Sequence, residues 1–167
     1  MAYKTDTAVL LTTITLASAT ATVNFSSLPS TYASIEIRVS TRSDTASGAM
    51  DFGNLRLNGD TAANYGQGAS ASLTSITVLR PITSTNWLTS GWTNGIITIW
   101  DYSSASKHKC ITYDASYNNS TTTMSSANYH DDAGWWRSAS VVTSASLILS
   151  SGGNYITGST FRVYGIP

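Results

Sequence analysis

The fold class of this 167-residue chain is decided by one stretch, Ser34-Ile35-Glu36-Ile37-Arg38-Val39-Ser40. Apolar and polar residues alternate along it, so that Ile35, Ile37 and Val39 share one face. Side chains of a strand point alternately to its two faces, and a period of two therefore indicates an antiparallel strand with one face buried and one in water. We expect the rest of the chain to build sheets around this strand.

Other segments carry the residue types of strands. Thr, Val, Ile, Tyr and Trp dominate, and branched and aromatic side chains favour pleated sheets. Glu, a strong helix former, occurs only at position 36. The clearest segments are residues 55–57, 96–100, 107–113, 145–149 and 161–164, and weaker ones are 9–16, 20–25, 73–79 and 120–124. Residues 96–100 are apolar on both sides, which indicates a central strand.

Segments rich in Gly, Pro and Asn separate these strands, at residues 28–30, 47–48, 66–68, 93–95 and 151–154. About eight to ten short strands without a helical spacer predict an all-β sandwich or barrel. No repeat or break in composition divides the chain, so we expect one β-domain over residues 19–167. Residues 1–18 are either an arm that docks on a neighbouring subunit or the first strand.

The composition excludes several classes of protein. Nine Lys+Arg balance nine Asp+Glu, and a neutral chain lacks the basic patch of a nucleic-acid partner. No apolar run approaches the ~20 residues of a membrane helix, and the first residues do not follow a signal-peptide pattern, so no membrane partner is expected. The 41% hydrophobic content excludes a disordered tail. The single Cys110 excludes an internal disulfide framework or a thiolate zinc cluster.

Patterns for nucleophilic catalysis are weak. His108 and Cys110 would share one face of a strand, but a small buried cysteine beside a structural histidine is the favoured interpretation. The chain has no nucleophile elbow, phosphate loop or dinucleotide fingerprint, and no carboxylate pair is singled out for glycoside hydrolysis. We therefore expect no enzyme activity, no catalytic residues and no cofactor.

One cluster contains metal-ligand types, the stretch His130-Asp131-Asp132, which Asp114 could approach from elsewhere. Adjacent residues of a strand point to opposite faces, so a short run rarely completes a coordination shell. A solvated loop is the favoured interpretation, and no metal is expected.

Tryptophan is abundant, with five residues. Trp135 and Trp136 follow Gly134 and are expected where a loop enters a strand. Consecutive strand residues face opposite sides, which allows one indole in the core and the other in water. An exposed indole could stack on a sugar ring or anchor a protein partner, whereas core packing is the favoured interpretation.

Residues 55–65, Leu-Arg-Leu-Asn-Gly-Asp-Thr-Ala-Ala-Asn-Tyr, resemble the L-R-x-N-G-D-T-x-x-N-Y segment of a family of tailed-bacteriophage virion proteins. Residues 25–38 are similar to that family's F-S-x-[IL]-P-x-x-Y-x-x-L-x-[IL]-R segment, and Arg42-Ser43 follows. Residues 100–102, 107–109 and the closing 161–166 add a thinner likeness. The resemblance is strongest over residues 22–66.

The resemblance implies an antiparallel β-sandwich of jelly-roll type on a virion surface. Members of the family look like capsid decoration (cement) proteins, head fibres or modules of tail fibres, and they bring no catalytic residues. The turn motif is therefore interpreted as structural, with a hairpin turn in which Asp60 and Thr61 cap backbone groups. Its residues are Arg56, Asn58, Gly59, Asp60, Thr61, Asn64 and Tyr65.

The leading expectation is a decoration protein that binds the major capsid protein on the outer capsid surface as a homotrimer. The contact with capsid or neighbouring subunit is expected near the N-terminus, at Tyr3, Val9, Leu10 and Leu11. The alternative is a tail-fibre or receptor-binding module that recognises a host surface glycan through Trp135 or Trp136.

Overall fold

The computed structural model describes residues 7–45, 51–83, 91–117 and 129–167. These residues form twelve strands and no helix. The strands are β1 (Val9–Thr15), β2 (Thr22–Phe25), β3 (Ser34–Thr41), β4 (Asp51–Leu57), β5 (Tyr65–Gln67), β6 (Ser70–Leu73), β7 (Ile76–Ile82), β8 (Thr93–Trp100), β9 (Lys109–Tyr117), β10 (Tyr129–Trp136), β11 (Ala145–Leu149) and β12 (Thr160–Ile166).

The strands build two antiparallel sheets, which confirms the predicted β-sandwich. The eight-stranded sheet has the order β1-β12-β3-β8-β9-β10-β5-β6, and the four-stranded sheet has the order β2-β11-β4-β7. β8 lies in the middle of the larger sheet, as the apolar residues 96–100 predicted. Residues 9–15 form an edge strand that pairs with β12.

The core lies between the sheets. The alternation predicted for β3 is confirmed, because Ile35 and Ile37 are fully buried while Arg38 is exposed. Leu55 and Leu57 of the smaller sheet are also fully buried. Full burial of one such side chain stabilises a fold by about 1.5–3 kcal/mol. The apolar side chains on the two inner faces therefore hold the two sheets together.

The described residues form twelve strands where about eight to ten were expected, and residues 66–67, expected in a turn, belong to β5. Three further details differ from the sequence prediction. Residues 93–95, expected as a turn, begin β8, where a side chain on Gly95 would approach the Asp114 carbonyl oxygen within 2.9 Å. Residues 73–79 are divided between β6 and β7. Residues 130–132, expected as a solvated loop, belong to β10, where Asp131 is exposed while His130 and Asp132 are half-buried on the opposite face. The weak strand prediction for residues 120–124 lies outside the described residues.

Candidate interaction surface

The motif at residues 55–65 carries the chain from one sheet to the other. β4 ends at Leu57 in the smaller sheet and β5 begins at Tyr65 in the larger one. Asn58 and Gly59 have φ angles of 52° and 67°, and the Asp60 amide donates to the Leu57 carbonyl at 3.0 Å. The turn type is the one that Asn-Gly favours. The predicted hairpin is nevertheless wrong, because β11 and β7 already pair with both edges of β4.

The Asp60 carboxylate closes this crossover turn. Its Oδ2 accepts hydrogen bonds from Trp136 Nε1 at 2.7 Å and from Asn64 Nδ2 at 2.9 Å, and its Oδ1 accepts from the Ala62 amide at 2.8 Å. Burial alone would raise the Asp60 pKa, but these hydrogen bonds outweigh burial and the pKa lies below its ordinary value. Asp60 thereby ties the turn to β10.

The Asn58 side chain ties the same turn to the segment before β11. Its Nδ2 donates to the Val141 carbonyl at 2.7 Å. Its Oδ1 accepts from the amides of Thr143 at 2.8 Å and Ser144 at 3.1 Å. Both ends of the amide are therefore used inside the fold, which explains why an asparagine with a left-handed backbone fits here.

Of the remaining motif residues, Tyr65 and Arg56 form hydrogen bonds within the fold, whereas Thr61 faces solvent. The Leu57 amide donates to the Tyr65 hydroxyl at 2.9 Å, and burial raises the pKa of Tyr65 to about 12. Arg56 Nε donates to the Thr74 carbonyl at 3.3 Å. Thr61 is exposed, and no hydrogen bond of its hydroxyl to a described residue is found, so the predicted Thr61 cap is wrong.

Trp136 is a core residue. It is 2% exposed, its ring stacks on Tyr65 with centroids 6.2 Å apart, and its indole nitrogen is bonded to Asp60. Because its indole is buried, Trp136 is not available for the suggested contact with a glycan or partner. Trp135 faces the other way and is half-buried, with its ring over Gly66, where an added Cβ would lie 2.2 Å from the indole.

The N-terminal strand β1 presents apolar side chains at a sheet edge. Val9 is 43% exposed and Leu10 is 53% exposed. The register shifts between Leu10 and Thr12, and Leu11 packs against the core. Leu11 is half-buried, and a partner contact through it stays a prediction. Tyr3 lies outside the described residues.

The outer face of the eight-stranded sheet carries the other large apolar side chains that are exposed within the described ranges. These are Ile96 at 39%, Trp100 at 46% and Tyr129 at 54%. Trp100 Nε1 donates to Thr112 Oγ1 at 3.0 Å, and the Tyr129 hydroxyl donates to Asp114 Oδ1 at 3.0 Å. Both rings are thus held in place by their polar ends while their apolar parts stay open to contact.

A pocket of about 370 Å³ lies on this face beside Ile96. Arg38 stands on one side of it, with its guanidinium 4.4 Å from the centroid of the Tyr164 ring and in an ion pair with Glu36. Asp114 and Tyr129 stand on the other side. Of these residues the sequence pointed only to Asp114, as a candidate metal ligand, although the two-sided apolar pattern of residues 96–100 was a signal that some side chains of β8 would stay exposed.

The residues of the weak catalytic and metal patterns lie in and beside β9 and β10. Cys110 is exposed on the outer face, so the predicted burial is wrong, and His108 precedes β9. In β10, Asp131 points outward while Asp132 lies on the opposite face, where it accepts from Gln67 Nε2 at 3.2 Å. Within the described ranges, no three residues of the His, Cys, Asp and Glu types come close enough to hold a metal ion.

The described part of the chain also has no helix long and apolar enough to cross a membrane. In comparisons with known proteins, no family model matches the chain, and no curated protein matches it.

Proposed function

We propose that the chain is a decoration protein of a tailed-phage virion, which binds the major capsid protein on the outer capsid surface and stabilises the shell. The resemblance over residues 22–66 motivates this assignment. The structure adds a reason to regard that motif as structural, since Asn58, Asp60 and Tyr65 bond within the fold.

The strand order supports the jelly-roll type that the resemblance implies. Without β5, β6, β9 and β10, the sheets contain β1-β12-β3-β8 and β2-β11-β4-β7. In this order the first strand pairs with the last and the second with the last but one, which is the nested pairing of two Greek keys. Viral capsid domains commonly use this architecture. The four other strands extend one sheet.

The observation that carries the proposal is the exposed edge strand β1. One side of its backbone pairs with β12, and Val9 and Leu10 keep large exposed fractions. An open edge strand offers a row of backbone groups to another chain, and apolar side chains beside it add area to bury. We propose that β1 docks on the capsid.

The shell is stabilised in this proposal by mass action. A ligand that binds the assembled shell and not its free subunits stabilises it by about 2.7 kcal/mol per site at a hundredfold excess over Kd. Repetition of the site over the shell multiplies this effect. The homotrimer stays a prediction for the shell-bound protein, where it would close a heterologous contact into a ring.

Two measurements test the proposal. Quantitative mass spectrometry of virions that contain the protein should find hundreds of copies, in fixed ratio to the major capsid protein. Leu10→Asp should weaken co-sedimentation with shells stripped of the protein by about tenfold or more, because the burial of one leucine is lost. Thr15→Asp, on the same strand and also exposed, is the matched control. A few copies per virion, or equal binding by all three proteins, would contradict a role in shell coverage through β1.

A second function is favoured by the outer-face pocket, namely recognition of a host surface glycan by a tail-fibre module. Tyr129 supplies an exposed ring, and Asn94, Asp114 and Arg38 supply hydrogen-bonding groups around 370 Å³ of space. Aromatic rings with a few polar groups are what saccharide sites use. Tyr129→Ala should abolish binding on a glycan array while Trp135→Ala should retain it, and an array without any ligand would exclude this function.

A further inference from the structure

The outer face of the eight-stranded sheet has an ordered distribution of charge. One row of side chains crosses five strands, β12, β3, β8, β9 and β10. The register places the residues of this row side by side in the order Arg162, Arg38, Ile96, Asp114, Asp131. Two cations thus lie on one side of an exposed isoleucine and two carboxylates on the other.

Within a single molecule this order is unfavourable at both ends. Arg162 is directly opposite Arg38, and Asp131 is directly opposite Asp114. Like charges that face each other across a strand pair are destabilising. Arg38 is partly relieved by its ion pair with Glu36, and Asp114 accepts from the Tyr129 hydroxyl. Arg162 and Asp131 form no ion pair within the described ranges.

The row is complementary to itself under a two-fold rotation. We consider a second copy laid face to face, with the axis parallel to β8 and passing over Ile96. The rotation brings each side of the row over the opposite side of the other copy. Asp114 then faces Arg38, Asp131 faces Arg162, and Ile96 meets Ile96. Such an isologous contact uses the same patch on both subunits.

The neighbouring rows fit the same rotation. Trp100 lies on β8, as Ile96 does, so the two copies of this 46% exposed indole meet at the axis. Glu36, the remaining acidic residue described on this face, comes opposite Thr112 and meets no like charge. Sheets that pack face to face lie about 10 Å apart with mean strand directions within about 30° of each other, a range that includes this nearly parallel arrangement.

The area is sufficient for a reversible contact. Five strands about 4.8 Å apart, with seven residues each, cover roughly 600 Å² of flat surface per copy. Stable interfaces bury about 800 Å² per partner, and weak ones bury less. An apolar centre with charged pairs toward its rim is also the usual anatomy of an interface.

We propose that a second copy of this chain docks on the outer face of the eight-stranded sheet, around a two-fold axis at Ile96, with Arg162 and Arg38 of each copy against Asp131 and Asp114 of the other. This contact is independent of the capsid-binding proposal, which uses β1. It covers the pocket beside Ile96, so saccharide binding there competes with it.

The test is a charge exchange in the full-length protein. Sedimentation velocity over a micromolar to near-millimolar series should show a monomer–dimer equilibrium that weakens with salt. Arg162→Asp alone sets a new carboxylate against Asp131 of the other copy, and Asp131→Arg alone sets a new guanidinium against Arg162. Each single variant should weaken the dimer by about tenfold or more, because the reversed pair occurs twice per dimer. Lys107→Asp makes the same change of net charge as Arg162→Asp in the exposed loop before β9 and should leave the dimer unchanged.

Rescue distinguishes this contact from a general charge effect. The double variant Arg162→Asp/Asp131→Arg should regain dimerisation near the original affinity. A mixture of the two single variants should form a heterodimer, although neither dimerises well alone. A monomer at every concentration, a trimer insensitive to these changes, or single variants that the exchange does not rescue would each overturn the proposal. Circular dichroism of each variant verifies that the fold is retained.

Discussion

The crossover turn and the outer face of the large sheet use polar side chains in opposite ways. At the turn, Asn58 and Asp60 direct their oxygen atoms inward to named donors in β10 and the segment before β11. On the outer face, Arg162 and Asp131 are exposed and meet like charges in the same molecule. The comparison teaches that a recognisable sequence motif can have a purely structural role, while a sheet face without any motif keeps side chains free to bind another molecule.

The largest expected effect is at Asp60. Replacing it with alanine removes the acceptors of Trp136, Asn64 and the Ala62 amide. Since hydrogen bonds to charged groups contribute more than neutral ones, we expect Asp60→Ala to lower the free energy of unfolding by about 3 kcal/mol in urea titrations. Thr61→Ala, one residue away and exposed, should change it by less than about 0.5 kcal/mol. Equal losses of stability in Asp60→Ala and Thr61→Ala would contradict the view that Asp60 supports the fold and Thr61 does not.

A smaller loss is expected at Asn58. Asn58→Gly keeps a residue suited to the φ of 52° but removes the bonds to Val141, Thr143 and Ser144. We expect a cost of about 2 kcal/mol in the same titrations. Asn58→Asp retains the oxygen that accepts from Thr143 and Ser144 but sets a second oxygen against the Val141 carbonyl, so it should also lower the free energy of unfolding. A glycine variant as stable as the original protein would show that the backbone shape alone holds the turn.

Acid should weaken both the turn and the adjoining strand β10. Because the folded-state pKa of Asp60 lies below its unfolded value, ionised Asp60 stabilises the fold above about pH 4. This contribution is lost as pH falls through the lower, folded-state pKa. Asp132 acts in the same direction, since hydrogen bonds from the Ala133 amide, Gln67 and Tyr113 outweigh the opposing effect of burial on its pKa. Thermal unfolding from pH 6 to pH 2 should show a shallower decline in Asp60→Asn than in the original protein, and parallel curves would contradict this role.

The smallest effect is expected on the outer face. Arg162→Ala, measured at a concentration where the protein is monomeric, should change the free energy of unfolding by less than about 0.5 kcal/mol. Removing an arginine from beside Arg38 could even stabilise the monomer slightly. A loss above about 1 kcal/mol would mean that Arg162 supports the fold, as Asp60 does.

The sequence predicted those elements whose pattern is local. The alternation of residues 34–40 indicated both the strand and its buried face, and residues 145–149 coincide with β11. β10 was missed over Tyr129–Asp132 because polar residues occupy both of its faces there, so no apolar alternation separates a strand from a loop. The three-residue β5 was missed because it is too short to show any period.

The candidate surface was less predictable than the fold. Position within the chain does not reveal that Arg162, Arg38 and Asp131 share one row, since that depends on register across strands far apart in sequence. The aromatic candidates were similarly ambiguous, because two adjacent tryptophans predict opposite faces without telling which is buried. The burial of Trp136 follows from its bond to Asp60, a contact between residues 76 positions apart.

The position of β12 has a consequence for synthesis of the protein. β12 lies between β1 and β3, so these two early strands have no shared partner until residues 160–166 have emerged from the ribosome. Most of the pairing is therefore non-local, and such topologies fold slowly, in milliseconds to seconds. During that interval the backbone edges of β1 and β3 that pair with β12 lack their partner, and unpaired strand edges of this kind invite aggregation. Co-translational assembly can begin at the β8–β9 hairpin, but closure of the sandwich waits for the C-terminal strand.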